Sequence, residues 1–249
     1  MGNALSPTVA IMQPTYLPWL GYFDLIDSVD VFVILDNAQF EKQTWQQRNQ
    51  LRSQLGLEWI TVPVLIKDRF GQRINQVEIN RQHFLQKHLK QITQNYRKAQ
   101  WYGKYYPDFS DAFQAAASSG RLSLFTVEII KALCKAFGVR ASFVLASCLP
   151  VEGVRSEKLV NIMKALDSKT YVSPLGSADY ILADFATFKR AGVSVFFQNY
   201  QHPEYTQVYK PFISHACALD LLFNEGAESK TIIRSGRKTL VPAEEWVTS

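Results

Sequence analysis

The chain has 249 residues, of which 47% are hydrophobic and 20% are charged, and its formal net charge is +5. This is an ordinary globular composition, which excludes a disordered tail, a collagen-like rod and a disulfide-rich miniprotein. The length predicts a single α/β domain over residues 1–249. Because the basic residues are spread along the chain and not concentrated in one region, we expect no nucleic-acid partner.

The sequence shows neither a targeting segment nor a pattern of paired cysteines. No apolar stretch approaches the ~20 residues that cross a bilayer. No secretory signal precedes residue 8, so we expect no membrane span and a cytoplasmic location. The three cysteines, Cys134, Cys148 and Cys217, are far apart and form no CxxC pair. This pattern favours buried, inert thiols over a disulfide framework or a structural zinc site.

The first 35 residues predict a βαβ unit. Residues 8–13 form an apolar run that is stopped by Pro14, which is typical of a strand buried on both faces. Residues 19–26 follow with apolar side chains at helical spacing, and residues 30–35 are a second buried strand. A strand, a helix and a strand this close together are joined through a right-handed crossover.

Strands and helices alternate along the rest of the chain. The further strand candidates are residues 59–65, 74–79, 142–146, 170–172 and 193–197. The helix candidates are residues 84–96, 106–117, 124–137, 157–166, 183–191 and 217–224. This order predicts an α/β fold with a Rossmann-like, mainly parallel sheet of five or six strands, helices on both faces and a helical insert over residues 84–137.

Three strand ends are rich in polar and aromatic side chains, and ligands of open α/β sheets bind outside the carboxyl ends of the strands. We therefore expect these side chains to bind a polar substrate, with Arg48 pairing with a phosphate. The alternative is that they cap helices and tie down loops. The candidate binding residues are Gln13, Tyr16, Trp19 and Tyr22 after the first strand, Asn37, Gln39, Arg48 and Asn49 after the second, and Tyr205 and Gln207 after the last.

His202 is the candidate general base. It follows the last predicted strand and lies among tyrosines, and histidine is the commonest base at neutral pH. Asp36 is the second candidate catalytic residue, because its carboxylate could orient His202 or hold a substrate amine. The structural alternative for His202 is a loop histidine whose ring binds a backbone carbonyl. No second histidine or acid lies at a ligand spacing from His202, so no metal is expected.

Several catalytic signatures are absent from the sequence. It contains no Walker A motif, no GxGxxG, no GxSxG and no HExxH. These absences disfavour a P-loop NTPase, a dinucleotide-binding enzyme, an acyl-serine hydrolase and a zinc protease.

Four sequence motifs contain the polar clusters or lie close to them. They are IMQPTYLPWLGYFDLI over residues 11–26, DVFVILDNAQF over residues 30–40, HPEYTQ over residues 202–207 and LDLLFNEG over residues 219–226. Together they resemble the WbqC-like family, over nearly the whole chain. Members of that family occur in bacterial O-antigen and polysaccharide gene clusters, and the resemblance implies transfer of an aminoacyl group such as glycyl.

The junction after the first strand is similar to the HxGH junction of the nucleotidyltransferase superfamily. Trp19-Leu20-Gly21-Tyr22 occupies the place of that motif, so Trp19 and Tyr22 stand where the two histidines would be. Because those histidines stabilise the triphosphate transition state, the resemblance implies a Rossmann-like fold and disfavours nucleotidyl transfer.

Together the residues and the resemblance predict a transferase of bacterial polysaccharide or specialised-metabolite biosynthesis, without a cofactor of its own. The expected reaction moves an acyl or aminoacyl group to an amine or hydroxyl of a sugar or small metabolite. The expected donor is a phosphopantetheine thioester on an acyl carrier protein. Two alternatives stay open at this point: a nucleotidyltransferase-like enzyme that uses ATP, and a non-catalytic scaffold of a biosynthetic complex.

Overall fold

Parallel strands and their flanking helices form the framework of the structure. The computed structural model describes residues 6–80 and 84–247. In these residues a six-stranded sheet carries helices on both faces, and a two-stranded hairpin forms a separate second sheet. The α/β fold with a mainly parallel sheet, expected from the sequence, is therefore confirmed.

The strands and helices alternate as follows. The strands are β1 Thr8–Met12, β2 Val31–Ile34, β3 Arg48–Ser53, β4 Gly56–Thr61, β5 Ser142–Leu145, β6 Thr170–Ser173, β7 Ser194–Phe197 and β8 Val241–Pro242. The helices are α1 Leu20–Asp27, α2 Phe84–Tyr96, α3 Tyr102–Ala117, α4 Leu122–Phe137, α5 Arg155–Ala165, α6 Ala178–Ala183, α7 Phe185–Arg190, α8 Leu219–Glu225, α9 Ser229–Ser235 and α10 Ala243–Val247. No helix in the described part of the chain is both long enough and apolar enough to cross a bilayer.

The strands of the large sheet are ordered β5-β2-β1-β6-β7-β8. All neighbouring pairs are parallel except β7 and β8. The chain leaves β1 towards β2 on one side and returns to the other side of β1 at β6. The topological switch point therefore lies between the carboxyl ends of β1 and β6, where open α/β sheets usually bind their ligands.

Alternate residues of the central strands face two separate cores, as the period of two in a strand requires. Ala10, Phe32 and Ile34 belong to the core formed with α1, the helical insert and α8. Val9 and Val33 point to the opposite face, where α5, α6 and α7 pack. This double burial explains why β1 and β2 are continuous apolar runs in the sequence.

Helices α2, α3 and α4 form the insert expected over residues 84–137. Their aromatic side chains pack edge to face, with the ring centroids of Phe113 and Phe125 5.1 Å apart. They belong to the same core as α1 and its face of the sheet. Helix α2 has the predicted bounds, whereas α3 begins before the predicted residue 106, at Tyr102.

The hairpin β3–β4 was predicted only in part, by the strand expected over residues 59–65. Its two strands pair antiparallel from Arg48 opposite Thr61 to Ser53 opposite Gly56. The turn depends on Gly56, whose φ of +127° is accessible to glycine and strongly disfavoured for other residues.

Other local expectations also need correction. Residues 74–79, expected as a strand, begin with a 3₁₀ turn over Ile74–Gln76 and contribute only isolated bridges. The helix expected over residues 183–191 is the shorter helix α7, whereas α6, which ends at Ala183, was not predicted. Elements α9, β8 and α10 have no predicted counterpart.

Candidate functional site

A cavity opens at the switch point, between the carboxyl ends of β1 and β6. It has two adjoining compartments of about 220 and 550 Å³, which share the lining residues Met12, Thr15, Trp19 and Trp45. The remaining lining of the smaller compartment is Tyr22, Asn49 and His215. The larger compartment reaches from Gln13 to the residues that follow β6, namely Pro174, Gly176 and Ser177. We call the two compartments together the β1–β6 cavity.

The Trp19 side chain forms a wall of both compartments. Its ring stacks on the His215 ring, with centroids 5.2 Å apart, and meets the Tyr200 ring edge-on at 5.6 Å. The indole also lies against α1, where a Cβ atom on Gly21 would come within 2.4 Å of it. Glycine at position 21 therefore permits this orientation of Trp19, and a larger residue there would displace the ring.

His202 stacks on the Trp19 ring, with centroids 6.2 Å apart, and both of its ring nitrogens are engaged. Its Nε2 accepts the backbone N–H of His215 at 3.1 Å. The ring proton is therefore on Nδ1, which donates to the Pro203 carbonyl at 2.9 Å. Burial lowers the pKa of His202 to about 4, and the nearby His215 ring adds to this lowering. His202 is thus neutral at physiological pH, but its lone pair is occupied.

His215 presents its ring to the β1–β6 cavity. The residue is exposed, and its Nδ1 lies 2.8 Å from the Ser214 hydroxyl. With the ring proton on Nδ1, the Nε2 lone pair has no partner within residues 6–80 and 84–247. The backbone of His215 is left-handed, with φ of +64°. Such strain in a non-glycine residue clusters at functional sites.

Buried hydrogen bonds hold the segment that carries both histidines. The Asp220 carboxylate accepts from the Tyr205 hydroxyl and from the Gln207 amide, each at 2.7 Å. The fully buried Arg52 guanidinium donates to the Pro211 carbonyl at 2.8 Å and to Gln207 at 3.3 Å. Burial raises the pKa of Asp220 to about 6. Tyr205 and Gln207, expected to bind substrate, do not line the cavity. Their hydrogen bonds to Asp220 instead fix the segment that carries His202 and His215.

The loop after β1 is also fastened by buried polar contacts. Tyr16 is fully buried, and its hydroxyl bonds to Nδ1 of His88 at 2.9 Å. Asn49 donates to the Tyr16 carbonyl at 3.0 Å, and the Tyr22 hydroxyl donates to the Gln13 carbonyl at 3.2 Å. Tyr16, expected to bind substrate, is therefore part of the core, whereas Gln13, Tyr22 and Asn49 line the cavity.

Asp36 lies at a second cavity, away from His202. Its carboxylate accepts the Ser147 backbone N–H at 2.9 Å and the Ser147 hydroxyl at 2.6 Å. This cavity of about 370 Å³ lies between the carboxyl ends of β2 and β5 and the first turn of α4, and we call it the β2–β5 cavity. Strands β1 and β6 separate β2 from β7 in the sheet. The expected contact in which Asp36 orients His202 is not formed.

Three other candidates after β2, namely Asn37, Gln39 and Arg48, do not line the β1–β6 cavity. Asn37 accepts a hydrogen bond from the Lys158 amino group at 2.5 Å. Gln39 is exposed on the loop after β2. The Arg48 guanidinium stacks on the Trp59 ring, 4.1 Å from its centroid. The predicted site residues Gln13, Tyr22, Asp36, Gln39, Arg48 and His202 are therefore distributed over several parts of the molecule.

The structure adds residues that the sequence did not single out. Thr15 and Trp45 line both compartments, and His215 lines the smaller one. Thr15 and Trp45 lie within the polar clusters after the first and second strands, so the sequence could have indicated them. His215 lies outside these clusters, and only the tertiary fold brings it to Trp19. In the described part of the chain no group of three or more His, Cys, Asp and Glu side chains could hold a metal ion.

Comparison with known proteins identifies relatives over most of the chain. The model of the WbqC-like protein family matches residues 13–232. The uncharacterized protein Rv1507c of Mycobacterium tuberculosis (strain ATCC 25618 / H37Rv) is 32% identical over 231 residues, which cover 92% of this chain and 99% of that protein. No solved structure is significantly similar to the chain. The family match includes the lining of the β1–β6 cavity from Gln13 onwards.

Proposed function

The chain belongs to the WbqC-like protein family, and we propose that it is a transferase acting at the β1–β6 cavity. It moves an acyl or aminoacyl group, such as glycyl, from a phosphopantetheine thioester on an acyl carrier protein. The acceptor is an amine or hydroxyl of a sugar or small metabolite in cytoplasmic bacterial polysaccharide or specialised-metabolite biosynthesis. The observation that carries this proposal is the exposed His215 ring, which lines the cavity and whose Nε2 contacts no polar group of the described residues.

His215 supplies the base that acyl transfer requires. Its Nε2 accepts the proton of the acceptor amine or hydroxyl as the acceptor attacks the thioester carbonyl. The new C–N or C–O bond forms, the C–S bond breaks, and the imidazolium returns the proton to the leaving thiolate. Assistance of this kind contributes about 10²–10⁴-fold to the rate.

Ser214 and His202 position this base. When the Ser214 hydroxyl accepts the Nδ1 proton of His215, the Nε2 lone pair faces no partner among the described residues and can act as the base. His202 accepts the backbone N–H of His215 and so holds the left-handed backbone in place. In this proposal His202, the base expected from the sequence, becomes a positioning residue.

The walls of the cavity suit a substrate that has both polar groups and an apolar face. Trp19 and Trp45 supply aromatic surface, and Glu41 and Gln46 supply polar groups in the larger compartment. Gln13 accepts a hydrogen bond from Gln46 through its Oε1 at 2.8 Å, which leaves its amide N–H groups to donate to a substrate.

Product analysis by mass spectrometry tests the proposal. The protein is mixed with carrier-bound acyl and aminoacyl thioesters and a panel of amine and sugar acceptors, and the acylated acceptor is expected. His215→Gln has a similar size but cannot accept the proton, so turnover should fall by about 10²-fold or more without a change in melting temperature. Gln201→Ala, an exposed change in the same segment outside the cavity lining, is the control and should keep full turnover.

Two substitutions at His202 separate positioning from proton transfer. His202→Ala removes the acceptor for the His215 N–H and should lower kcat about 10²-fold by misplacing the base. His202→Gln keeps an acceptor and should retain most of the turnover. If His202→Gln were as inactive as the alanine variant while His215→Gln stayed active, the roles of the two histidines would be reversed.

The alternatives give different results in the same assays. Pyrophosphate release from Mg·ATP, without thioester turnover, would indicate the nucleotidyltransferase-like enzyme. Normal pathway output in cells that carry only the His215→Gln variant would indicate the non-catalytic scaffold.

A further inference from the structure

The β2–β5 cavity contains donor groups that the described residues leave unpaired. Helix α4 begins there without a side-chain cap from its N-cap residue, Arg121. In the described part of the chain, the backbone N–H groups of Ser123 and Leu124 meet no acceptor. The Ser123 hydroxyl lines the cavity and also lacks a partner in those residues, although Ser123 is only 2% exposed. The first N–H groups of a helix have no partners within it, so these three donors are available to an acceptor that enters the cavity.

Two positively charged side chains, Arg73 and Lys158, lie at or close to the β2–β5 cavity. The Arg73 side chain lines the cavity and forms no ion pair with a described residue. The Lys158 amino group lies close by, bound to Asn37, and both burial and the charge of Arg73 lower its pKa. Two cations held this near each other repel, and a bound anion would relieve that repulsion.

One carboxylate also lines the cavity, but its oxygens are already engaged. Asp36 accepts two hydrogen bonds from Ser147 and a long one of 3.5 Å from Asn75. Asp36 and Glu152 both act to raise the pKa of Lys158 and so offset its charge, which leaves the Arg73 guanidinium as the cation of the lining. The N-terminus of α4 adds partial positive charge to that of Arg73.

We propose that the β2–β5 cavity binds the phosphate group of a small phosphorylated ligand. The N–H groups of Ser123 and Leu124 and the Ser123 hydroxyl donate to the phosphate oxygens, and the Arg73 guanidinium pairs with their charge. The site is separate from the β1–β6 cavity, and binding there does not depend on the transfer reaction.

Titration of the full-length protein with inorganic phosphate, followed by ¹H–¹⁵N NMR, tests this site. Saturable shifts are expected at the Ser123 and Leu124 amides with a dissociation constant on the order of 1 mM, and they should be absent with sodium chloride at equal ionic strength. Arg73→Gln should weaken binding about tenfold, because it removes a charge-assisted pair, and Ser123→Ala should weaken it less. Comparison of pantetheine 4′-phosphate with a sugar 1-phosphate then identifies which source of phosphate gains most over the inorganic ion.

The matched control is Arg69→Gln. It removes an equal charge from the same loop, but Arg69 pairs with Glu78 at 3.0 Å and does not line the cavity. Phosphate binding should be unchanged in this variant. Equal shifts in chloride, no effect of Arg73→Gln, or an equal loss in Arg69→Gln would each overturn the proposal.

Discussion

The first βαβ unit, residues 8–35, and the segment after β7, residues 198–218, both contribute to the β1–β6 cavity but are held by different forces. The βαβ unit is packed by apolar side chains, and Phe32, Ile34 and Leu20 are completely buried. The later segment contains no helix or strand between β7 and α8. It is fixed by the hydrogen bonds of Arg52, Gln207 and Asp220.

This difference places the proposed base, His215, on the irregular side of the cavity. Trp19, at the start of α1, provides a wall supported by a densely packed core. His202 and His215, on the later segment, lie against that wall. Loops carry many catalytic residues on rigid scaffolds, provided that polar contacts lock them in place. The comparison therefore predicts that apolar substitutions act on stability, and that polar substitutions in the later segment also act on turnover.

Phe32→Ala should have the largest effect on stability. Phe32 is fully buried between Tyr22 and Phe143, with ring centroids at 5.3 and 6.0 Å, so its removal leaves a cavity. We expect the free energy of unfolding to fall by about 3–5 kcal/mol in urea denaturation. Leu55→Ala, at a side chain that is 93% exposed, is the control and should change it by less than about 0.5 kcal/mol. A loss below about 1 kcal/mol for Phe32→Ala would contradict the assignment of the βαβ unit to apolar packing.

The sequence predicted the apolar region well for the same physical reason. Burial on both faces forces continuous apolar runs, so β1, α1 and β2 were recognisable from residues 8–35 alone. The helix α2 was predicted with its observed bounds because its apolar side chains repeat at helical spacing.

The polar region could not be predicted in the same way. Strand β3 reads Arg-Asn-Gln-Leu-Arg-Ser and looks solvated, yet Arg52 and Asn49 in it are buried by tertiary hydrogen bonds. The partner of Arg52 at Gln207 is 155 positions away in the chain, and Ser147 is 111 positions from Asp36. The polar residues at the strand ends lie at the edge of the sheet that carries the β1–β6 cavity. They did not reveal which side chains line the cavity and which ones support it.

A pH titration of stability should show a somewhat smaller effect, through His88, a buried histidine that supports the βαβ unit. His88 accepts the Tyr16 hydroxyl at Nδ1 and donates from Nε2 to the Thr61 carbonyl, and burial lowers its pKa to about 4. The unfolded chain, with a histidine pKa near 6.5, therefore takes up the proton first as the pH falls. The free energy of unfolding should decrease by about 3 kcal/mol between pH 6.5 and pH 4 because of this group.

The His88→Gln variant isolates this contribution. Other groups titrate in both proteins, so the difference between the two pH profiles from urea denaturation reports on His88 alone. The wild type should lose more stability on acidification than the variant. Parallel profiles would contradict the prediction, because they would mean that the pKa of His88 is the same in the folded and unfolded protein.

Asp220→Asn should have the smallest effect on stability and a clear effect on turnover. The hydrogen bonds from Tyr205 and Gln207 both end on one carboxylate oxygen, which an Asn carbonyl oxygen can replace, but the Asn NH2 group then faces the Asn224 NH2 group that the other oxygen accepts at 3.3 Å, so we expect a loss of about 1–2 kcal/mol at pH 7. Burial raises the pKa of Asp220 to about 6, above its unfolded value, so its contribution to stability is present below pH 4 and is lost as the pH rises to 6. The cost of the substitution should therefore be greater at pH 4 than at pH 7, opposite in sign to the effect of His88.

The same substitution should also lower turnover, because the segment then holds His215 less firmly, and by more than the small change in stability explains. Asp179→Asn, at an exposed carboxylate, is the control and should change neither stability nor turnover. Full turnover in Asp220→Asn would show that the buried network does not position the histidines, and the contrast between the two regions would then be one of stability alone.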